Sequence, residues 1–293
     1  MELQNVNFGS SKNERKTANV KESLAAATAA QMVPMVSLTA LPAINKMSKL
    51  STGLAKDEIE IVNKVAEQIV DNTGLRKKGL EIIDYGGSSA VASGFSEKLM
   101  ELVNPLIGTA NGKNAFFTDK PLKAMGEIIF DKNKVVINKE KLSLAVFHEL
   151  GHAFNNNLSK GWKIVQKMRM PGIMIASGLA LFSAFSKKSK PEEGKELTKF
   201  QKVKNSVRDK SGLLAFTALV PMLLEEGMAS IRGCKWAKQL LSPELAKKVK
   251  STNLVAYTSY LATVAGLSLA AFAATKIKDK LVAKKEAKLA EAQ

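Results

Sequence analysis

The chain contains two histidines, four residues apart with a glutamate directly after the first, in the segment FHELGHAF at 147–154. Positions i and i+4 of an α-helix face the same way, so His148 and His152 can direct two imidazole nitrogens at one metal ion about 2.0–2.1 Å away. Glu149 then lies beside the ion. A hydrolytic zinc needs such a carboxylate to take the proton of its bound water. The segment therefore predicts catalytic zinc, one ion per chain, with Glu149 as general base.

A catalytic zinc normally takes three protein ligands and leaves a fourth position to water. There is no third histidine, and the one cysteine, Cys234, is best interpreted as a small buried apolar residue, so a carboxylate must complete the set. The segment LLEEGMASIRG at 223–233 favours a helix and offers two glutamates beside small residues. We predict Glu226 as the third ligand, with Glu225, about 100° round the helix, as the alternative.

Small residues accompany both predicted metal-binding helices. Gly151 keeps the histidine helix slim, and Ala229 is small enough to let the two helices touch. Ser230 shares a helix face with Glu226 at i, i+4. Three other glutamates lie in a lysine-rich segment, where surface charge pairing explains them better: Glu192, Glu193 and Glu196.

The segments before the histidines predict a small sheet behind an amphipathic helix. Apolar spacing predicts a helix over 57–73 and, after it, strands at 80–85 and 114–118, a helix at 96–103 and a β-hairpin over 127–138. Asn138 can cap the histidine helix, which the pattern extends over 139–156.

Four uncharged apolar stretches are candidate membrane helices: 23–45, 170–186, 211–224 and 251–275. The last could cross roughly 30 Å of hydrocarbon at 1.5 Å per residue. The first is the weaker candidate, because it contains Pro34 and Pro42. The alternative is that these stretches are buried helices of a soluble helical core.

Composition restricts the class of protein and its partners. With 293 residues, 45% of them hydrophobic, the chain is globular or membrane-embedded. A net charge of +17 attracts polyanions. Because aromatic residues make up only 6% and the lysines are scattered, anionic lipid is favoured over nucleic acid as the partner.

These patterns divide the chain into consecutive segments. They are a disordered polar arm (1–22), a possible membrane helix (23–45), a core with the HExxH helix (46–169), an apolar helical hairpin with a basic loop (170–224), the third-ligand helix (225–250), a transmembrane candidate (251–275) and a basic tail (276–293).

The chain resembles the integral-membrane gluzincin metallopeptidases, the family that includes HtpX and the CAAX prenyl proteases. Their signature, His-Glu-x-x-His followed far downstream by Glu-x-x-Ala-Asp, is matched by His148, Glu149 and His152 and then by residues 226–230. An Asn-Ala-Phe strand motif is matched at 114–116. The resemblance covers roughly residues 50–235.

The resemblance implies a mainly α fold with a small β-sheet (α+β), a gluzincin-like core, apolar transmembrane helices and a polypeptide substrate bound in extended form near the hairpin 127–138. The family's aspartate, which orients a ligand histidine, is replaced by Ser230, a weaker acceptor. The resemblance also implies an oxyanion stabiliser, for which Tyr257, Tyr260 and Arg232 are candidates.

These features predict a multi-pass membrane protein whose sidedness is open. If all four apolar stretches span, the segments 1–22, 187–210 and 276–293 share one side and carry 19 basic residues in 64 positions, against 25 in 150 on the other. The positive-inside rule would place those segments in the cytoplasm, opposite to the orientation that the resemblance implies.

Two other classes of function are open. One is a catalytically silent membrane or scaffold protein that keeps a structural zinc, which the Ser230 departure would suit. The other is a basic nucleic-acid-binding protein in which the histidine pair is accidental.

Overall fold

The computed structural model describes residues 46, 49–84, 115–124, 127–191 and 195–291. It is mainly helical with a small three-stranded mixed sheet, which confirms the predicted fold class at that level. Several predictions lie outside the described residues: the arm 1–22, the apolar segment 23–45, the helix 96–103, Asn114, Glu192 and Glu193.

The elements follow one another from a helix through a group of strands to a run of longer helices. The helices are α1 (Lys56–Asn72), α2 (Val146–Leu158), α3 (Lys160–Lys167), α4 (Arg169–Phe185), α5 (Lys199–Asp209), α6 (Ser211–Leu240) and α7 (Pro243–Glu291). The strands are β1 (Glu81–Asp84), β2 (Ala115–Thr118), β3 (Leu122–Ala124), β4 (Glu127–Phe130) and β5 (Lys134–Ile137).

Strand β5 is the centre of the three-stranded sheet. It pairs in parallel with β1 and antiparallel with β2, in a register that places both Ile82 and Phe117 opposite Val135. The predicted hairpin over 127–138 is wrong, because β4 pairs with β3 in a separate two-stranded sheet. Val135, Val136 and Ile137 are all buried, and such a continuous apolar run suits a central strand with neighbours on both sides.

The histidine helix α2 begins later than the sequence predicts. The side-chain oxygen of Asn138 accepts hydrogen bonds from the backbone N–H groups of Glu140 (3.1 Å) and Lys141 (2.9 Å), so it caps a turn. A short 3₁₀ turn at Ser143–Ala145 follows, and α2 starts at Val146. The 3₁₀ turn and the start of α2 contribute to a buried apolar cluster that also includes residues of α1 and the sheet. Its members include Val62, Ile69, Leu80, Val135, Ile137, Leu144, Phe147 and Leu150.

The chain forms two compact units. Among the described residues, one unit lies within 46–169 and 221–262, and the other lies within 170–220 and 263–291. The predicted boundaries at 224/225 and 275/276 do not exist as breaks, because α6 and α7 run through them without interruption. The third-ligand helix ends at Leu240, not at 250, and α7 begins at Pro243.

Helices α2 and α6 touch through their backbones in the first of these units. A Cβ added to Gly151 would lie 2.7 Å from the Cα of Ala229, and one added to Gly233 would lie 2.6 Å from the carbonyl oxygen of Phe147. Real Cβ atoms do not approach other atoms so closely. The predicted contact between the two helices at Gly151 and Ala229 is therefore confirmed.

Three helices among the described residues are long and apolar enough to cross a membrane: Lys160–Phe185 (α3 with α4), α6 and α7. In the second unit, Gly172 packs against the backbone of Ala218, and Gly212 packs against Phe272, so small residues let these helices approach closely. Large apolar side chains lie on their surfaces, including Met174, Ile175, Leu181, Leu213, Phe216, Leu269 and Phe272.

Replacement of Gly151 by alanine should destabilise the first unit. The added methyl group would overlap the Ala229 backbone, and overpacking of this kind typically costs about 1–3 kcal/mol. Gly161→Ala is the matched control, since nothing lies within 4 Å of an added Cβ there and alanine favours a helix by up to about 1 kcal/mol. Thermal unfolding in detergent measures both, and equal melting temperatures would contradict the close contact.

Candidate metal centre

Helices α2 and α6 bring together the three residues predicted as metal ligands. The Nε2 atoms of His148 and His152 lie 3.0 Å apart. The Oε2 atom of Glu226 lies 3.1 Å from the first nitrogen and 3.3 Å from the second. All three side chains are buried, and the three ligand atoms form a compact triangle that could hold a metal ion.

The size of this triangle fits a tetrahedral ion of zinc's radius. Metal–ligand bonds of about 2.0–2.1 Å at tetrahedral angles separate neighbouring ligand atoms by roughly 3.3 Å. The observed edges are 3.0, 3.1 and 3.3 Å. The three atoms therefore lie at the spacing that such an ion requires.

Each histidine is also held through its other ring nitrogen. The Nδ1–H of His152 donates to Oε1 of Glu225 over 2.7 Å, and the Nδ1 of His148 lies 3.1 Å from the Ser230 hydroxyl. A partner at Nδ1 fixes the tautomer that leaves the Nε2 lone pair for a metal. Glu225, the alternative ligand in the sequence interpretation, thus orients His152 from outside the triangle.

Arg169 joins the two adjacent carboxylates of α6. Its Nη1 donates to Oε2 of Glu225 over 2.9 Å, and its Nη2 forms an ion pair with Oε1 of Glu226. Both carboxylates are fully buried, whereas the Arg169 side chain is 25% exposed. The guanidinium therefore fixes the rotation of Glu226, so that Oε2 faces the histidines.

Glu225 is also supported by a chain of hydrogen bonds that runs through Asn155 to Arg232. The amide nitrogen of Asn155 donates to Oε1 of Glu225 over 3.2 Å, and Nε of Arg232 donates to the amide oxygen of Asn155 over 2.8 Å. The guanidinium of Arg232 also lies 4.4 Å above the ring centroid of Phe154. The structure therefore places Arg232, an oxyanion candidate, in this supporting chain.

The two tyrosine candidates lie on α7. The Arg169 guanidinium carbon is 6.0 Å from the ring centroid of Tyr260, so this tyrosine is next to the site. The ring of Tyr257 packs over Gly227, 3.4 Å from where a Cβ would stand.

The charges of the site favour a divalent cation. When the histidines are neutral, as metal binding requires, the buried carboxylates of Glu225 and Glu226 face the single guanidinium of Arg169, which leaves negative charge for a cation to offset. Burial of uncompensated charge is costly, and a divalent ion would offset it.

Burial also changes the acid–base behaviour of the two α2 residues in this site. It raises the pKa of the Glu149 carboxyl above its usual value, although the two histidines oppose the shift. Burial lowers the pKa of His152, but the Glu225 and Glu226 carboxylates outweigh it and raise that pKa well above its usual value. In the metal-free site, His152 therefore holds a proton that a metal must displace.

Sequence reasoning missed two members of the site. Arg169 is the first residue of the apolar α4 and follows the basic α3, a position at which an arginine suggests only the flank of a membrane helix. Asn155 lies three residues after His152, on a similar face of α2, and this spacing was the available signal for it.

Comparisons of the chain with protein-family models, curated proteins and solved structures found no match. The resemblance to gluzincin peptidases therefore rests on the motif residues of the sequence.

Substitutions should weaken zinc binding in a fixed order. Glu226→Gln removes a ligand and should abolish stoichiometric binding, whereas Glu225→Gln removes an orienting carboxylate and should weaken binding about 10- to 100-fold. Ser230→Ala should have a smaller effect, because a neutral hydroxyl is lost. Chelator competition measures the affinities, with the exposed Glu196→Gln as control. A Glu226→Gln protein that binds zinc like the parent would refute the ligand assignment.

Zinc affinity should fall as the pH falls. Imidazole binds a metal only in its neutral form, so each proton that the metal displaces lowers the affinity roughly tenfold per pH unit below the pKa concerned. Chelator competition between about pH 8 and about pH 6 spans the usual histidine range. An affinity that does not change with pH would show that the bound ion is not held by the histidines.

Proposed function

We propose that the protein is a zinc-dependent, membrane-bound endopeptidase that resembles the HtpX and CAAX prenyl protease family. The observation that carries the proposal is the buried triangle of His148, His152 and Glu226 with the carboxylate of Glu149 beside it. The spacing of the histidines, the distant glutamate and the adjacent acid together are the components that peptide hydrolysis requires.

A bound zinc ion would supply Lewis-acid chemistry, polarising a peptide carbonyl and making water acidic enough to lose a proton near neutral pH. Glu149 is next to the ligand histidines in sequence but does not complete the ligand triangle. Its role is to accept the proton of the attacking water and return it to the leaving amine. A carboxyl group whose pKa is raised by burial is well suited to this second step.

Other residues keep the ligands in place, and one of them could stabilise the negative charge that develops on the substrate oxygen. Arg169 holds Glu226, and Glu225 holds His152, so neither ligand needs to reorganise during turnover. Among the oxyanion candidates, Tyr260 is supported best, because it is next to Arg169 and carries a hydroxyl that can donate to an oxyanion.

A peptide substrate would bind in extended form. Strand β5, which precedes the histidine helix, already pairs on both sides, so a substrate strand could be added only beyond an end strand of the sheet. Strand β2 is at one end and carries the Ala115-Phe116 part of the family-like motif. We therefore assign substrate pairing to the β2 end, in place of the hairpin predicted at 127–138.

A second candidate function is a structural metal site in a protein without catalytic activity. The observation in its favour is Ser230, whose neutral hydroxyl stands at Nδ1 of His148 where the family has a carboxylate. The carboxylate of Glu225 at His152 supplies a comparable orienting group at the other ligand, and this favours the peptidase.

Glu149→Gln should separate the two candidates. The amide cannot accept a proton, so kcat/KM toward an unfolded polypeptide should fall by about 10²- to 10⁴-fold, while zinc content stays near one ion per chain. Cleavage of fluorescent casein and elemental analysis of the detergent-purified protein measure the two quantities.

Glu140→Gln is the matched control, because it makes the same change at an exposed carboxylate before α2. Zinc-loaded parent protein that cleaves no unfolded polypeptide would support the structural-metal alternative. Parent protein that binds no zinc after reconstitution, with its fold intact, would refute both.

A further inference from the structure

Helix α5 buries polar side chains and exposes apolar ones, which is the reverse of the usual pattern in a soluble helix. The polar residues Asn205 and Arg208 are buried, whereas Phe200 is 77% exposed and Val203 is 61% exposed. Lys199 and Lys202 are exposed beside these apolar side chains. The helix thus packs onto its own unit through polar groups and presents an apolar strip with a basic flank outward.

The buried polar groups fix this orientation firmly. The Asn205 side chain exchanges two hydrogen bonds of 2.9 Å with the backbone of Ser189. Arg208, fully buried, donates to the carbonyl oxygen of Ser186 (3.1 Å) and to the Asp279 carboxylate (2.6 Å). Because these contacts hold the inner face, Phe200 and Val203 are kept outward and do not turn in to the unit's own core.

The position of α5 along the chain indicates the environment of the helix. It lies between two helices that are apolar enough to span a membrane, since α4 ends at Phe185 and α6 begins at Ser211. Its Arg208 reaches α7 at Asp279, just after the uncharged run of that helix ends at Thr275. Helix α5 is therefore at the level where the apolar segments give way to charged ones, which is the level of lipid headgroups.

The charge of the surrounding segments selects the kind of lipid. Residues 187–210 carry nine basic and four acidic side chains, and residues 276–293 carry six and three. Some lysines are paired internally, as Lys188 is with Asp209 and Lys202 with Glu196, but the excess of positive charge is larger than such pairs can neutralise. Phospholipids with a net negative headgroup complement this surface.

We propose that α5 is an interfacial helix that binds anionic phospholipid. Phe200 and Val203 enter the boundary between headgroups and acyl chains, and Lys199 and Lys202 contact the phosphates. A single aromatic residue offers no stacking platform for successive bases, so nucleic acid fits this surface less well. The proposal does not rest on the peptidase activity, because every residue in it belongs to the unit without the zinc ligands.

The test uses the full chain with Phe200→Trp in phosphatidylcholine nanodiscs that contain a small fraction of either brominated phosphatidylglycerol or brominated phosphatidylcholine. Bromine quenches tryptophan on contact, and the parent chain, with Trp162 and Trp236, supplies the background. Quenching by the anionic lipid should exceed quenching by the zwitterionic lipid. The expected enrichment of anionic lipid next to α5 is about fivefold for each lysine–phosphate contact. High salt should remove the difference.

Lys199→Gln with Lys202→Gln should sharply reduce the difference, whereas Lys56→Gln with Lys64→Gln, which removes the same charge from exposed positions on α1, should leave it intact. Val203→Trp repeats the measurement at the second apolar position in case Phe200→Trp fails to fold. Equal quenching by the two lipids, or none by either, would overturn the proposal. Emission that changes only with added nucleic acid, or only with protein concentration, would overturn it in favour of nucleic acid or of a second copy.

Discussion

The candidate metal centre depends on the direct contact between the backbones of α2 and α6. No side chain stands between the helices at Gly151 and Ala229 or at Gly233 and Phe147. Side chains as short as glutamate can then reach from α6 to both ring nitrogens of the histidines on α2. Wider separation would leave Glu225 and Glu226 as buried, unpaired carboxylates, which is among the most costly arrangements in a protein interior.

The close contact also accounts for the division of labour between two adjacent glutamates. Neighbouring helical residues differ by about 100° in direction, so Glu225 and Glu226 approach the histidine pair from different sides. One reaches the outer nitrogen of His152 and the other reaches the inner nitrogens of both rings. Arg169 holds the remaining oxygen of each carboxylate, so a single cation fixes both directions.

The parts of the structure that the sequence predicted are those set by local pattern. The i, i+4 spacing of His148 and His152, the small residues at Gly151 and Ala229 and the long uncharged runs are each visible within a few turns of helix. The pairing of β4 with β3 was missed, because a polar turn between two apolar segments also favours a hairpin, and only the burial of Val135 and Val136 in a central strand decides against it. Arg169 was missed because its partners are more than fifty residues away, and a lone arginine before an apolar helix is common.

The histidine pair and Glu226 are separated in the chain by a segment that belongs to the other unit. Residues 170–220, which include α4, α5 and the apolar start of α6, are made after the histidines and before Glu226. During synthesis the histidines alone offer a two-ligand site, which holds zinc far more weakly than three ligands do. A metal ion in this site would therefore be held firmly only after the intervening apolar segment has been made and α6 has docked on α2, so a tightly bound ion would mark a correctly assembled chain.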